Sequence, residues 1–271
     1  MAAKTGDDRD AGEATSALVR LMDRLRADCP WDKKQTLADL GGYLLEETYE
    51  ALEALEERDL DALEGELGDL LFQIVFQCRI GSESGAFDLA SVARRIEQKL
   101  VSRHPHVFGD SAVKDADAVR IQWEKLKEKE RKTSGKEATS PFDGLPKSLP
   151  ALLSAYRITA RAADLGFDWQ RDADVLDKLD EETEEFRQEV LAPNAEKERI
   201  AGEIGDILFT VVNVARRKGI DPEAALRSSN AKFRRRFDAV AARVAAQGRE
   251  ISGTPLDELD QIWDSVKEEE T

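Results

Sequence analysis

Two short acidic patterns constrain this chain more than any other feature. Glu182-Thr183-Glu184-Glu185 is answered by Glu203-Ile204-Gly205-Asp206. Residues three apart on a helix are neighbours on one face, so Glu182 pairs with Glu185 and Glu203 with Asp206. Leu191-Ala192-Pro193-Asn194 predicts a turn between them, short enough to make the two helices antiparallel neighbours. The hairpin then gathers four carboxylates toward one spot, where their repulsion calls for a cation. Hard oxygen donors of this kind suit Mg²⁺, with Mn²⁺ as the second choice. The same layout occurs earlier, as Glu47, Glu50, Glu66 and Asp69.

The repetition extends past the carboxylates. Glu47 and Glu182 stand 135 positions apart (182 − 47), and Glu50 and Glu185 keep that offset. Glu66 and Glu203 stand 137 apart (203 − 66), which places a small insertion in the second hairpin turn. Lys99 and Arg103 parallel Lys232 and Arg236, and Trp123 and Lys127 parallel Trp263 and Lys267. An acidic quartet, a basic pair and a Trp/Lys pair in one order, twice, imply duplication of a single helical unit. The chain of 271 residues is long enough for two such domains. Residues 1–132 form the expected N-terminal domain, 133–146 a linker and 147–271 the C-terminal domain.

Helix is expected throughout, because only 8 prolines interrupt runs rich in Ala, Leu, Glu, Arg and Lys. Residues 1–14 read as a loose tail, followed by helices over Thr15–Ala27, from Thr36 or Asp39 through Leu55, and from Asp61 past Val75. A turn at Gly81-Ser82-Glu83-Ser84-Gly85 precedes a helix over Phe87–Val101, and Pro105 breaks the helix at His104. A fifth helix is expected over Asp117–Lys132. The second half repeats the plan: Leu149–Asp164, the two acidic helices, Pro222–Ala246 and Leu256–Lys267. Gly166-Phe167-Asp168-Trp169 corresponds to Cys29-Pro30-Trp31-Asp32 in place and character.

Composition narrows the function. Net charge is −16, which disfavours stable binding to nucleic acid or an anionic membrane. No apolar run approaches the roughly 20 residues a membrane span needs, and no signal peptide is evident, so a cytoplasmic protein is expected. Cys29 and Cys78 lack metal-ligand spacing and read as small apolar residues. Glu184 and Glu189 belong to a solvated face, and His104 and His106 to a loop or packing site. A di-iron bundle would need Glu-x-x-His on two helices; the third positions here are Glu and Asp instead.

Glu-Glu-x-x-Glu followed by Glu-x-x-Asp on a helix hairpin resembles the MazG-type all-α nucleoside triphosphate pyrophosphohydrolases. The resemblance extends to Arg103-His104-Pro105-His106-Val107-Phe108-Gly109, Gly166-Phe167-Asp168-Trp169, the run Asn230 to Phe237, and Trp263 through Lys267. It covers the chain from about Ala17 to Lys267 in the two-domain form. It implies two tandem all-α helical bundles that hydrolyse a nucleoside triphosphate to the monophosphate and pyrophosphate, in the service of nucleotide-pool house-cleaning. By position it implies Mg²⁺ on Glu182, Glu185, Glu203 and Asp206, with Lys232 and Arg236 on the triphosphate. Glu181 is the candidate partner of the attacking water, and Asn230, Trp263 and Lys267 complete the substrate site. A homodimer is expected from the same resemblance. The competing class is a non-catalytic helical module that binds Mg²⁺ and nucleotides.

The two halves differ at one informative position. Glu97 stands two residues before Lys99, where Asn230 stands before Lys232. Asn can donate to a phosphate or sugar, whereas Glu repels a polyanion. The C-terminal half is therefore the expected catalytic site. The N-terminal quartet with Lys99, Arg103, Trp123 and Lys127 is a second, weaker, regulatory or structural site.

Overall fold

The structure is a computed structural model, and it describes residues 8–109, 115, 119, 122, 126 and 140–270. Among the described residues every regular element is a helix, as the composition predicts. The chain divides into two units, Met1–Ser134 and Gly135–Thr271. The expected helix over Asp117–Lys132 lies almost wholly outside the described residues, as do Trp123, Lys127 and most of the linker.

In the first unit, α1 spans Asp8–Asp28, α2 Leu40–Glu57, α3 Leu60–Glu83, α4 Leu89–Arg103 and the short α5 Pro105–Phe108. Helices α2 and α3 form an antiparallel hairpin, and α1 packs on α3. The hairpin turn is tight because Arg58 adopts a left-handed conformation (φ 59°) and the Asp59 side chain accepts from the N–H groups of Asp61 and Ala62. That cap satisfies donors the first turn of α3 would otherwise leave open. The core gathers Met22, Leu40, Val75 and Phe76, with Leu18, Leu25 and Phe72 packed against them.

Two expectations are corrected here. Asp8 to Ala14 is the first part of α1 rather than a loose tail; extending an existing helix fixes one residue per new hydrogen bond, so it needs no packed partner. The Gly81–Gly85 segment does not begin as a turn, because α3 continues to Glu83. Gly81 is buried with the ring of Phe87 beside it, and a Cβ there would meet that ring at 2.6 Å. Gly81 thus marks a close approach inside a helix. The real exit is Gly85, at φ 68°.

In the second unit, α6 spans Ala151–Asp164, α7 Asp172–Leu191, α8 Lys197–Arg217, α9 Pro222–Ala246 and α10 Leu256–Glu269. Helices α7 and α8 form the second antiparallel hairpin, α6 packs on α8, and α9 packs on α10. Val240, Val244 and Val266 form a core between α9 and α10, flanked by Ile262 and Trp263. Pro222 opens α9 as expected, with Asp221 as its N-cap. Glu223 on α9 reaches across to cap α6, accepting from the N–H groups of Leu152 (3.1 Å) and Leu153 (3.3 Å). Helix α6 ends in a left-handed glycine turn: Gly166 has φ 90°, and the Phe167 N–H bonds the Ala162 carbonyl at 2.9 Å. Glycine adopts that conformation without steric cost, so the turn redirects the chain into the Phe167-Asp168-Trp169 loop. No helix among the described residues is long and apolar enough to cross a membrane.

Candidate metal and nucleotide site

The α7–α8 hairpin brings together carboxylate oxygens of Glu182, Glu203 and Asp206, all within 4.8 Å of one another. Glu182 projects from α7 and is buried (7% exposed), Glu203 is half-buried and Asp206 is exposed. The cluster therefore has a dry wall and an open side. The Glu203 Oε2 atom is buried and has no hydrogen-bond partner. A buried acceptor left unmatched is costly, and a cation shared with Glu182 and Asp206 would satisfy it. Burial, and then the charges of Glu185, Glu182, Asp206 and Glu189, push the Glu203 carboxyl above its ordinary range. The donor set is all oxygen, as a hard divalent cation requires.

Glu185 does not enter the three-residue cluster. It is exposed on α7 and acts on Glu203 mainly through its charge. Residues three apart on a helix sit about 60° apart around its axis, so Glu185 flanks the point that Glu182 faces. The N-terminal hairpin repeats the arrangement. Glu47, Glu66 and Asp69 converge within 4.8 Å, while Glu50 approaches Glu66 from the flank. Burial, the charges of Glu50 and Asp69, and a hydrogen bond with Glu50 raise the Glu66 carboxyl. Burial and the charge of Asp69 lead the causes that raise Glu47.

One residue near the cluster was missed in the sequence reading. Lys178 lies one turn before Glu182, and its Nζ sits 2.8 Å from Glu182 and 2.8 Å from Glu181. Its ammonium is held well above the ordinary lysine range by hydrogen bonds to those two carboxylates, Glu181 first. The signal was present in the sequence as a Lys three and four residues before two glutamates. Glu181 is thus an exposed partner of Lys178 in this structure. Glu184 pairs with Arg187 at 2.8 Å on the solvated face, whereas Glu189 is half-buried, pairs with Arg199 and adds its charge to the surroundings of Glu203.

The basic residues lie on α9. Asn230 and Lys232 are exposed, and Arg236 is half-buried. The Arg236 Nε donates to Glu270 at 2.7 Å, and Arg235 donates to the same carboxylate at 3.1 Å. Those bonds hold Glu270 below the ordinary carboxylate range. Trp263 packs into the α9–α10 core with its ring 5.2 Å from that of Phe233, and Lys267 pairs with Asp264 at 3.2 Å. In the first unit Lys99 is exposed on α4, and Arg103 is half-buried in its last turn. The His104 Nδ1–H donates to the Leu100 carbonyl (2.7 Å), and its ring lies 5.5 Å from the His106 ring, a packing contact at the end of α4. Cys78 is buried, and burial pushes its thiol up, so it behaves as an apolar residue.

The loops leading into each acidic hairpin are tied down differently. In the second unit, Arg216 bonds Asp168 and Arg217 reaches the Trp169 carbonyl (2.7 Å) and Asp172 (2.8 Å). In the first, Arg26 holds Glu83 through two bonds (2.8 and 2.9 Å) and the carbonyls of Asp32 and Gln35. Both networks fix the chain just before the first acidic helix.

Comparison with known proteins agrees with this geometry. A family model described as the MazG nucleotide pyrophosphohydrolase domain matches twice, over residues 35–108 and 170–241. Each match contains one complete acidic hairpin. The chain is 44% identical over 256 residues to the "Nucleoside triphosphate pyrophosphohydrolase" of Escherichia coli, covering 93% of this chain and 97% of that one. It is 38% identical over 261 residues to the "Nucleoside triphosphate pyrophosphohydrolase/pyrophosphatase MazG" of Thermotoga maritima, covering 96% and 98%. The crystal structure of a mazG-related protein from Thermotoga maritima aligns over 42% of this chain and 98% of its own, at 26% identity and a TM-score of 0.38. With two matched domains and relatives aligned over nearly their full length, the chain belongs to the MazG family of nucleotide pyrophosphohydrolases.

Proposed function

We propose that the α7–α8 hairpin is the catalytic centre of this nucleoside triphosphate pyrophosphohydrolase, and that its ion is Mg²⁺. The observation that carries the assignment is the convergence of Glu182, Glu203 and Asp206 around the unpartnered Glu203 Oε2. Together with Glu185, which reaches the ion from the flank, these three hold it. When bound, Mg²⁺ supplies Lewis-acid polarisation of the α-phosphate, a more acidic water and screening of the departing pyrophosphate.

The chain's own residues do the rest. Lys232 and Arg236 hold triphosphate oxygens. Arg236 already grips an anion, the Glu270 carboxylate, and phosphate takes that place when substrate enters. Glu181 is the exposed partner of half-buried Lys178, and it receives the proton of the attacking water when Lys178 turns to Glu182 alone. Water oxygen bonds to the α-phosphorus, the bond from that phosphorus to the bridging oxygen breaks, and pyrophosphate leaves. Asn230 donates to phosphate or sugar, and Trp263 and Lys267 close the site from α10.

The domains divide as 1–132, 133–146 and 147–271, with catalysis in the last. The N-terminal quartet, with Lys99 and Arg103, serves regulation or stability. A homodimer is supported by one repeated feature. Leu67, Leu71 and Ile74 form an exposed stripe on α3, and Ile204, Leu208 and Val211 repeat it on α8 at the same 137-residue offset (204 − 67). Apolar stripes of this regularity next to a polar site mark an association surface. The cellular role that fits is clearing unwanted triphosphates from the cytoplasmic nucleotide pool.

Hydrolysis in H₂¹⁸O tests the reaction. Attack at the α-phosphorus puts the label in the monophosphate alone. Label in pyrophosphate, or no pyrophosphate release with Mg²⁺, would refute this assignment.

A further inference from the structure

Helix α10 ends on charges of the unfavourable sign. Glu268, Glu269 and Glu270 stand in a row at its C-terminus, where the helix dipole favours cations and disfavours carboxylates. Guanidinium groups from α9 offset them. Arg243 bonds both Glu269 and the Ser265 hydroxyl. Arg243 and Ser265 each adjoin a core valine, Val244 and Val266, so that link ties the two helices together. Glu270 lies beyond the core, and from Lys267 onward every described residue of α10 and its cap is exposed. Holding the helices together does not require it.

The face on which Glu270 lies gives it another task. Trp263, Lys267 and Glu270 are spaced four and three apart, so they share one face of α10. Trp123, Lys127 and Glu130 repeat that spacing in the first half. Trp263 and Lys267 close the nucleotide site from α10, and Arg236 on α9 holds its phosphates. A carboxylate on that face is out of place beside a polyanion, because it repels the substrate. Its two oxygens are taken by two guanidinium groups, one by Arg236 (2.7 Å) and the other by Arg235 (3.1 Å), as phosphate oxygens would be. The side chains of Glu270 and Arg236 are only 27% and 20% exposed, so water screens this pair less than a free surface pair. Arg235, at 64%, has the looser hold.

We propose that Glu270 is a resident competitor of the substrate: it occupies the phosphate position on Arg236, and a nucleoside triphosphate must displace it to bind. The inference rests on Arg236 holding the triphosphate. Displacement is local, because opening the last turn of α10 uncovers no buried side chain beyond Val266. A triphosphate brings several negative charges against the single charge of the carboxylate, so it wins Arg236 and drives Glu270 outward. Once the bond to the bridging oxygen has broken, the returning carboxylate competes with pyrophosphate and speeds its release. Glu270 thereby sets KM high and keeps the product from lingering.

Glu270→Gln keeps the shape and one acceptor but removes the charge. In the full chain with Mg²⁺, KM for a nucleoside triphosphate should fall about threefold to fivefold. The inhibition constant of inorganic pyrophosphate should fall by the same factor, and kcat should not rise. A merely structural role predicts the opposite, because a loosened site raises KM. Glu258→Gln is the control: it breaks the Arg249–Glu258 pair (2.9 Å) in the first turn of α10, and KM should stay at the parent value. Arg236→Gln should raise KM at least about tenfold. Glu270→Gln added to Arg236→Gln should change KM by less than about twofold, since the pair is already gone. KM unchanged or raised in Glu270→Gln, or lowered equally by Glu258→Gln, would overturn the competitor alone if Arg236→Gln still raises KM. KM unaffected by Arg236→Gln would instead fault the triphosphate assignment of Arg236, and the competitor with it.

Discussion

Glu203→Gln isolates the contribution of the carboxylate cluster, because it keeps shape and removes one charge. Losing even an outer partner of a metal ligand costs about 10–100-fold in metal affinity, so a direct ligand should lose at least about 100-fold. A metal held at 100 times its Kd stabilises the folded state by about 2.7 kcal/mol, and the same concentration at the weakened Kd by only about 0.4 kcal/mol. The second unit runs from Gly135 to Thr271, or 137 residues (271 − 135 + 1). Its unfolding entropy is then about 0.29 kcal/mol/K, and each kcal/mol moves its melting temperature about 3.5 °C. Mn²⁺ should accordingly raise that transition by about 9 °C in the parent protein and by about 1–2 °C in the variant. Differential scanning calorimetry reads this directly, with Glu66→Gln in both proteins so that the N-terminal cluster is silenced equally. Without metal, the variant should melt no lower than the parent, since burial and four acidic neighbours disfavour the charged form of Glu203. Equal Mn²⁺-induced shifts in the two proteins would refute the metal assignment.

Asp206→Asn should lower pyrophosphate release at least tenfold to 100-fold, while Asp69→Asn should leave most of it; equal losses in folded, equally assembled proteins would show that the halves share catalysis. Phe76→Ala should destabilise the first unit by about 3–5 kcal/mol in urea titrations, because the ring is 1% exposed at the centre of its core. A cost below about 1 kcal/mol would mean that the ring is not packed as described. The Arg26 hydrogen bond, with the charges of Arg26 and Arg79, holds Glu83 below the ordinary range despite partial burial. Its stabilising effect is present above the unfolded pKa of about 4.3 and is lost as pH falls through the lower folded value. Melting temperatures measured below about pH 4.3 should therefore depend less steeply on pH in Glu83→Gln, by a modest amount because Glu83 itself is partly exposed, and superimposable profiles would rule this out.

The sequence by itself determined most of what depends on one helix or one turn. Carboxylates three apart, leucines at helical spacing, Pro222 after Asp221, and the repeated order of acidic, basic and Trp/Lys groups are local patterns. They gave the all-α class, the duplication, the family and two hairpins with carboxylates facing one another. Local pattern was weaker at helix ends, where hydrogen bonding continues past a polar or glycine residue at little cost; α1 begins at Asp8 and α3 runs on through Gly81 for that reason.

What depended on the rotation and spacing of neighbouring helices came only with the tertiary structure. It set Glu182, Glu203 and Asp206 in one cluster and Glu185 at its flank, and it left Glu203 Oε2 buried without a partner. It turned Glu223 into the cap of a helix some seventy residues earlier in the chain. It also separated two positions that look equivalent in the repeat. Phe76 and Asn213 occupy matching places on matching helices, yet one fills a core and the other borders a cavity. Whether a side chain plugs a space or lines it is fixed by the volume between packed elements, and that volume is a property of the assembled helices, invisible in any single stretch of sequence.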